Sequence, residues 1–128
     1  MEFSLMWQRP VCAPAIEFGR DGPHVHIRYT YAGETRGTFY TNEEWLPLLD
    51  AVRAGELNRL GTVVHPDSDD GPWTVYHRGI HSGQAGRIGG DVVLSVNYYR
   101  KRHRFPREIW DQVLAAMKSG ALDDLPCG

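Results

Sequence analysis

A chain of 128 residues has the length of one domain or of two very small modules. With 14 Lys and Arg against 16 Asp and Glu, the net charge is −2, which argues against a general affinity for nucleic acid or anionic membrane. The apolar share of 41% is typical of a globular protein, and no stretch approaches the ~20 apolar residues of a membrane helix. The first ten residues have no basic start and no long apolar run, so no signal peptide is read there and the expected location is cytoplasmic. Cys12 and Cys127 lie near opposite ends without a disulfide framework and read as reduced thiols.

In chain order, Phe3, Leu5 and Trp7 alternate with Ser4 and Met6 as a strand ended by Pro10. Ala15–Phe18 is a short strand closed by a turn over Gly19–Pro23. Val25, Ile27, Tyr29 and Tyr31 then alternate with His26, Arg28 and Thr30, the clearest strand of this half. A turn at 32–35 leads into a hairpin partner over 36–40. Trp45, Leu48, Leu49 and Val52 fall at i, i+3, i+4 and i+7, one apolar stripe of a helix. Thr41 and Glu44 have capping-box spacing, Gly55 suits the helix end, and Pro47 predicts a kink or a 3₁₀ start.

Residues 58–72 are the connection, with an acidic, turn-rich stretch at Pro66–Pro72 that reads as a solvated linker. Trp73–His77 is a strand, and the glycine-rich stretch Gly79–Gly90 reads as a loop. Val92, Leu94, Val96 and Tyr98 share a strand face, and Arg100–Arg104 takes the place of a hairpin turn. A second helix follows with Trp110, Val113, Leu114 and Met117 in the same stripe and Gly120 at its end.

The two halves therefore repeat. Trp7 and Trp73 are 66 apart, Trp45 and Trp110 are 65 apart, and residues 27, 29 and 31 shift by 65 onto 92, 94 and 96. The expected fold is α+β: two tandem antiparallel β-sheet modules, each ending in one amphipathic helix, packed as an intramolecular pseudo-dimer. The modules are drawn at 1–62 and 73–128 with a linker at 63–72. A module of this size is marginal alone, so the halves should share a core, with Trp7, Trp45, Trp73 and Trp110 as structural anchors.

Chemistry-bearing patterns are sparse. The glycine-rich stretch lacks the Gly-Lys-Ser/Thr of a phosphate loop, and a strand follows it. His24 with His26, and His77 with His81, supply too few ligands for zinc, so no metal or cofactor is expected. His77, His81 and Ser82 are near in sequence but lack a nucleophile elbow or a positioned carboxylate, so no catalytic residues are assigned and an enzyme is not expected. Arg100, Lys101, Arg102, Arg104 and Arg107, with Tyr99 beside them, form a basic aromatic cluster that could contact a protein partner or nucleic acid, or simply sit in solvent.

Thr41-x-x-Glu44-Trp45, then Leu48-Leu49, then Val52-Arg53-x-Gly55-Glu56-Leu57 resembles the C-terminal signature of the small actinobacterial BldB-like domain family. Trp7 and Trp73 match that family's early Trp, and Gly79–Gly90 its glycine-rich segment. The Arg-Asp-Ser-Lys of the family is absent, with Arg28–Tyr31 and Ser95–Tyr98 in its place. The resemblance implies a non-enzymatic, self-associating regulator that binds a helix-turn-helix transcription regulator of the Xre type. Two alternatives remain open: an immunity-type inhibitor of a toxin enzyme, and direct nucleic-acid binding through residues 100–107.

Overall fold

Alternating apolar residues build two antiparallel sheets, and each sheet feeds a helix whose stripe closes the core beneath it. The computed structural model describes residues 7–22, 24–64, 72–96 and 101–120, with Lys101 described by its backbone alone. In the first half, β1 (Ile16–Asp21), β2 (His24–Tyr31) and β3 (Glu34–Thr41) form a sheet in the order β1-β2-β3, followed by α1 (Asn42–Arg53). In the second, β4 (Thr74–Arg78), β5 (His81–Ile88), β6 (Asp91–Val96) and β7 (Lys101–Phe105) form a sheet in that order, followed by α2 (Arg107–Ser119).

Both helices form for the reasons their sequences carry. At α1 the capping box closes, with the Glu44 N–H donating to Thr41 Oγ1 (3.3 Å) and the Thr41 N–H to Glu44 Oε1 (2.9 Å). Gly55, at φ +79°, ends the helix: its N–H reaches the Val52 carbonyl and the Glu56 N–H that of Ala51, both at 3.1 Å. These are the two bonds of a Schellman cap. α2 ends likewise at Gly120 (φ +82°) but starts at Pro106 with no side-chain cap. Pro47 lies inside α1, which is α-helical from Asn42 with no 3₁₀ start. Proline removes one donor there, and the buried ring supplies apolar contact instead.

α1 touches β2 and β3 of its own half, β4 and β5 of the other, and α2; α2 touches β6 and, across the seam, β1. One apolar cluster consequently runs from Ala13 and Ile16 through Trp45 and Leu48 to Trp110 and Met117. Trp45 and Trp110 are its largest members, 1% and 0% exposed. Trp7 and Trp73 are only half-buried and lie outside it.

Four sequence expectations are corrected. Gly79–Gly90 is not a loop: β5 occupies 81–88, with turns only at Gly79-Ile80 and Gly89-Gly90. Its glycines answer to close packing. A side chain at Gly83 would overlap the Tyr76 ring, and one at Gly86 would meet Val63 and Trp73. Next, Arg100–Arg104 is not a hairpin turn, because Lys101–Phe105 pairs along β6 as β7. Gly19–Asp21 is not a turn either; it continues β1, and of the predicted turn only Gly22 lies outside a strand among the described residues.

The fourth correction concerns the repeat. Val25 pairs with Tyr40, and Val92 pairs with Phe105. The offset is therefore 65 from Tyr40 to Phe105 but 67 from Val25 to Val92. Val25, Ile27 and Tyr29 match Val92, Leu94 and Val96, all at most 2% exposed, whereas Tyr31 is 37% exposed. A slip of two residues keeps every side chain on its own face, so alternation alone cannot distinguish 65 from 67.

Thr62 forms a parallel bridge to Arg87, and Val63 is buried in the second half. The acidic stretch at 66–71 and the strand read at Phe3–Leu5 lie outside the described residues, although Gln8 bridges Phe18 on β1.

Candidate functional site

β7 separates the basic residues by simple alternation. His103 and Phe105 face inward, so Arg102 and Arg104 face outward. Arg102 Nε donates to Ser95 Oγ at 3.2 Å, and its guanidinium lies 5.5 Å from the Trp73 ring. Arg104 Nε donates to Asp91 Oδ2 at 2.9 Å. Arg107 is exposed at the first turn of α2. Tyr99 and Arg100 lie outside the described residues, as does the Lys101 side chain. The predicted basic cluster is thus, as far as it is described, two arginines held on a sheet face and one at a helix start.

His103 is the member that sequence reasoning left unassigned. Its Nε2 lies 2.7 Å from the Tyr29 hydroxyl, a bond joining the inner faces of the two sheets. Burial, reinforced by the nearby positive charge of Arg36, pushes its imidazole down to about 4, and burial raises the Tyr29 phenol. A neutral imidazole paired with a phenol is a structural link at the seam.

His77 and Ser82 face each other across β4 and β5, while His81, one residue along, faces the other way. No hydrogen bond joins these three side chains among the described residues. Nor does any group of three His, Cys, Asp or Glu among the described residues stand close enough to hold a metal ion. No helix among the described residues is long and apolar enough to cross a membrane.

Two surface features stand out instead. Along α1, Glu43, Leu46 and Asp50 form the exposed stripe opposite the core, and Leu46 is 54% exposed. Beside it an open groove of about 270 Å³ is lined by Asn42, Glu43, Leu46, Pro47 and His81, with Ile80 next along the chain 79% exposed. Leu46 falls off the Trp45–Val52 stripe, so an apolar residue out of phase was the signal available in the sequence. The second feature is a cleft of about 440 Å³ at the end of the β2–β3 hairpin. Arg9, Glu17 and Arg28 line it, and no sequence spacing brings those three together.

Outside these, the outer face of the first sheet carries rings. His26 stacks on Phe39 at 5.5 Å, His24 meets the same ring edge-on, and Trp7 stands at 6.5 Å from His26. Burial lowers the His26 pKa, and its Nε2 is buried without a hydrogen-bond partner among the described residues. No protein-family model, curated protein or solved structure matches the chain.

Proposed function

We propose that this chain is a non-enzymatic regulatory binding protein, that its two halves form an intramolecular pseudo-dimer, and that it docks a helix-turn-helix transcription regulator in the cytoplasm. The observation that carries the reading is the α1 surface, where exposed Leu46 and the neighbouring Ile80 lie beside Glu43 and Asp50. A DNA-binding partner is basic because it must neutralise phosphates. An apolar strip flanked by carboxylates complements such a surface in both shape class and charge sign.

The matched inner faces support the pseudo-dimer. So do the equivalent tryptophans Trp45 and Trp110, the two glycine caps and the way each helix reaches the other sheet. A doubled module of this kind presents two related but unequal surfaces, and only α1 carries the acid-flanked apolar strip. The likeness of the first helix to the BldB-like signature points the same way.

Calorimetric titration with helix-turn-helix regulators from the same genome tests the reading. A saturable complex is expected, weakened about tenfold or more by Leu46→Asp and by Glu43→Lys with Asp50→Lys, while the unfolding midpoint stays within the range of surface changes. Failure to bind any of them, or binding indifferent to these substitutions, overturns it.

A further inference from the structure

We propose that the cleft at the end of the β2–β3 hairpin binds a small oxyanion, the phosphate or carboxylate head group of an organic ligand. The site is distinct from the α1 surface and does not depend on the regulator reading. Its wall is the Arg9–Glu17–Arg28 trio, with Thr30 and Thr35 at the hairpin end and Tyr29 contributing to the lining. At about 440 Å³, the cleft falls in the size range of small-molecule sites.

Charge and geometry set the ligand class. Glu17 takes both Arg28 Nε (3.2 Å) and Nη2 (3.3 Å), and Arg9 Nη2 lies 3.3 Å from the same carboxylate. Two guanidiniums on one carboxylate leave one surplus positive charge. Each guanidinium has five N–H donors, and Arg28 spends only two on Glu17. Its guanidinium also lies 3.8 Å from the Trp7 ring centroid. It is thus fixed by a ring and a carboxylate before any ligand arrives, which lowers the entropy cost of binding. The Thr30 and Thr35 hydroxyls, 3.4 Å apart, add neutral donors at the far side. Forked cations with hydroxyls beside them are the chemistry that holds phosphate and carboxylate oxygens.

The fold does not need this trio. Glu17 pairs with Arg28 on the outer face of the first sheet, and the pair in the same register of the second sheet is Gln84 with Ser95, both buried and neutral. The second sheet forms without the charges. The cleft also lies where the halves meet, because the loop at its rim is fastened to α2: the Ala15 N–H donates to Gln112 Oε1 at 2.9 Å. Tyr29, at the lining, carries the bond to His103. A ligand here would touch residues tied to the second half.

The test is an NMR titration of the full chain with phenyl phosphate, benzoate and inorganic phosphate, following the amides of residues 9, 15, 17, 28, 30 and 35. Saturable shifts there below about 20 mM are expected, and the tighter of the two aromatic probes names the head group. Arg9 is exposed, so Arg9→Ala leaves the fold intact and should weaken binding about fivefold. Glu17→Gln should tighten it about threefold by removing the competing negative charge. A solvated ion cluster with no ligand role gives no saturable shifts. That result, shifts mapping elsewhere, or Glu17→Gln weakening the binding overturns the proposal.

Discussion

In the first sheet the cross-strand pair Glu17–Arg28 borders a cleft; in the same register of the second sheet, Gln84–Ser95 is buried. His26 of the first outer face corresponds to Val93 of the second, and Phe39 to Arg104. The inner faces, by contrast, match in kind: Val25, Ile27 and Tyr40 against Val92, Leu94 and Phe105. The second outer face is filled by Val63 and Trp73 packed on Gly86, with Arg102 and Arg104 along β7, whereas the first keeps rings and the Glu17–Arg28 pair at the surface. The core demands apolar area from both halves, so it holds them alike. The outer faces are under no such demand, and there they part.

The sharpest test of inner against outer is the tryptophan set. Trp45→Ala and Trp110→Ala should each cost about 3–5 kcal/mol in denaturant unfolding, and half-buried Trp7→Ala about 1 kcal/mol. Equal losses at Trp7 and Trp45 would abolish the distinction.

A pH series probes the seam between the sheets. His103 is held near 4 in the fold against an ordinary value of 6.5. Between those values the unfolded chain takes up a proton that the folded chain refuses. Stability is therefore complete above pH 6.5, falls as pH drops toward 4, and levels off below. The full drop is on the order of 2–3 kcal/mol. His103→Leu should flatten that window, leaving the smaller slope from His26, whose pKa burial also lowers. Loss from the carboxylates of Glu17 and Glu56, held below their usual range by arginines, comes at lower pH. An unchanged slope in the His103 variant would mean that the histidine is not refused its proton by the fold.

The outer faces themselves should differ in a milder way. Val63→Ala, opposite Gly86, is expected to cost about 1–2 kcal/mol, and the surface ring change Phe39→Ala under about 1 kcal/mol. The reverse order in thermal melts would place the filled face on the first sheet. Smallest is the difference between helix starts. Thr41→Ala removes the capping box of α1 and should cost about 1 kcal/mol, with no counterpart to lose at Pro106.

Much of this architecture was legible because it rests on local periods. Trp45, Leu48, Leu49 and Val52 declare a helix by their spacing, and Gly55 and Gly120 declare its end, since a left-handed residue is cheapest as glycine. The strand faces were equally plain. β5 was not: its glycines look like a loop until Tyr76 and Val63 are seen to occupy the space their side chains would need. β7 was misread because four arginines and lysines within five residues resemble a solvated tip, although alternation sends His103 and Phe105 inward. The α1 surface could have been suspected from Leu46 lying out of phase, but the cleft trio had no signal at all, since 17 meets 28 only through the pairing of β1 with β2 and 9 is brought beside them by the Gln8–Phe18 bridge.

By itself, then, the order of residues determined which segments turn into helices and which side of each strand is apolar. Tertiary structure alone decided the strand registers, the conversion of glycines into a packed strand, and which outer face stays open. The physical reason is range: hydrogen-bonding periods act between near neighbours in the chain, whereas close approach and cross-strand pairing depend on residues that only folding brings within contact.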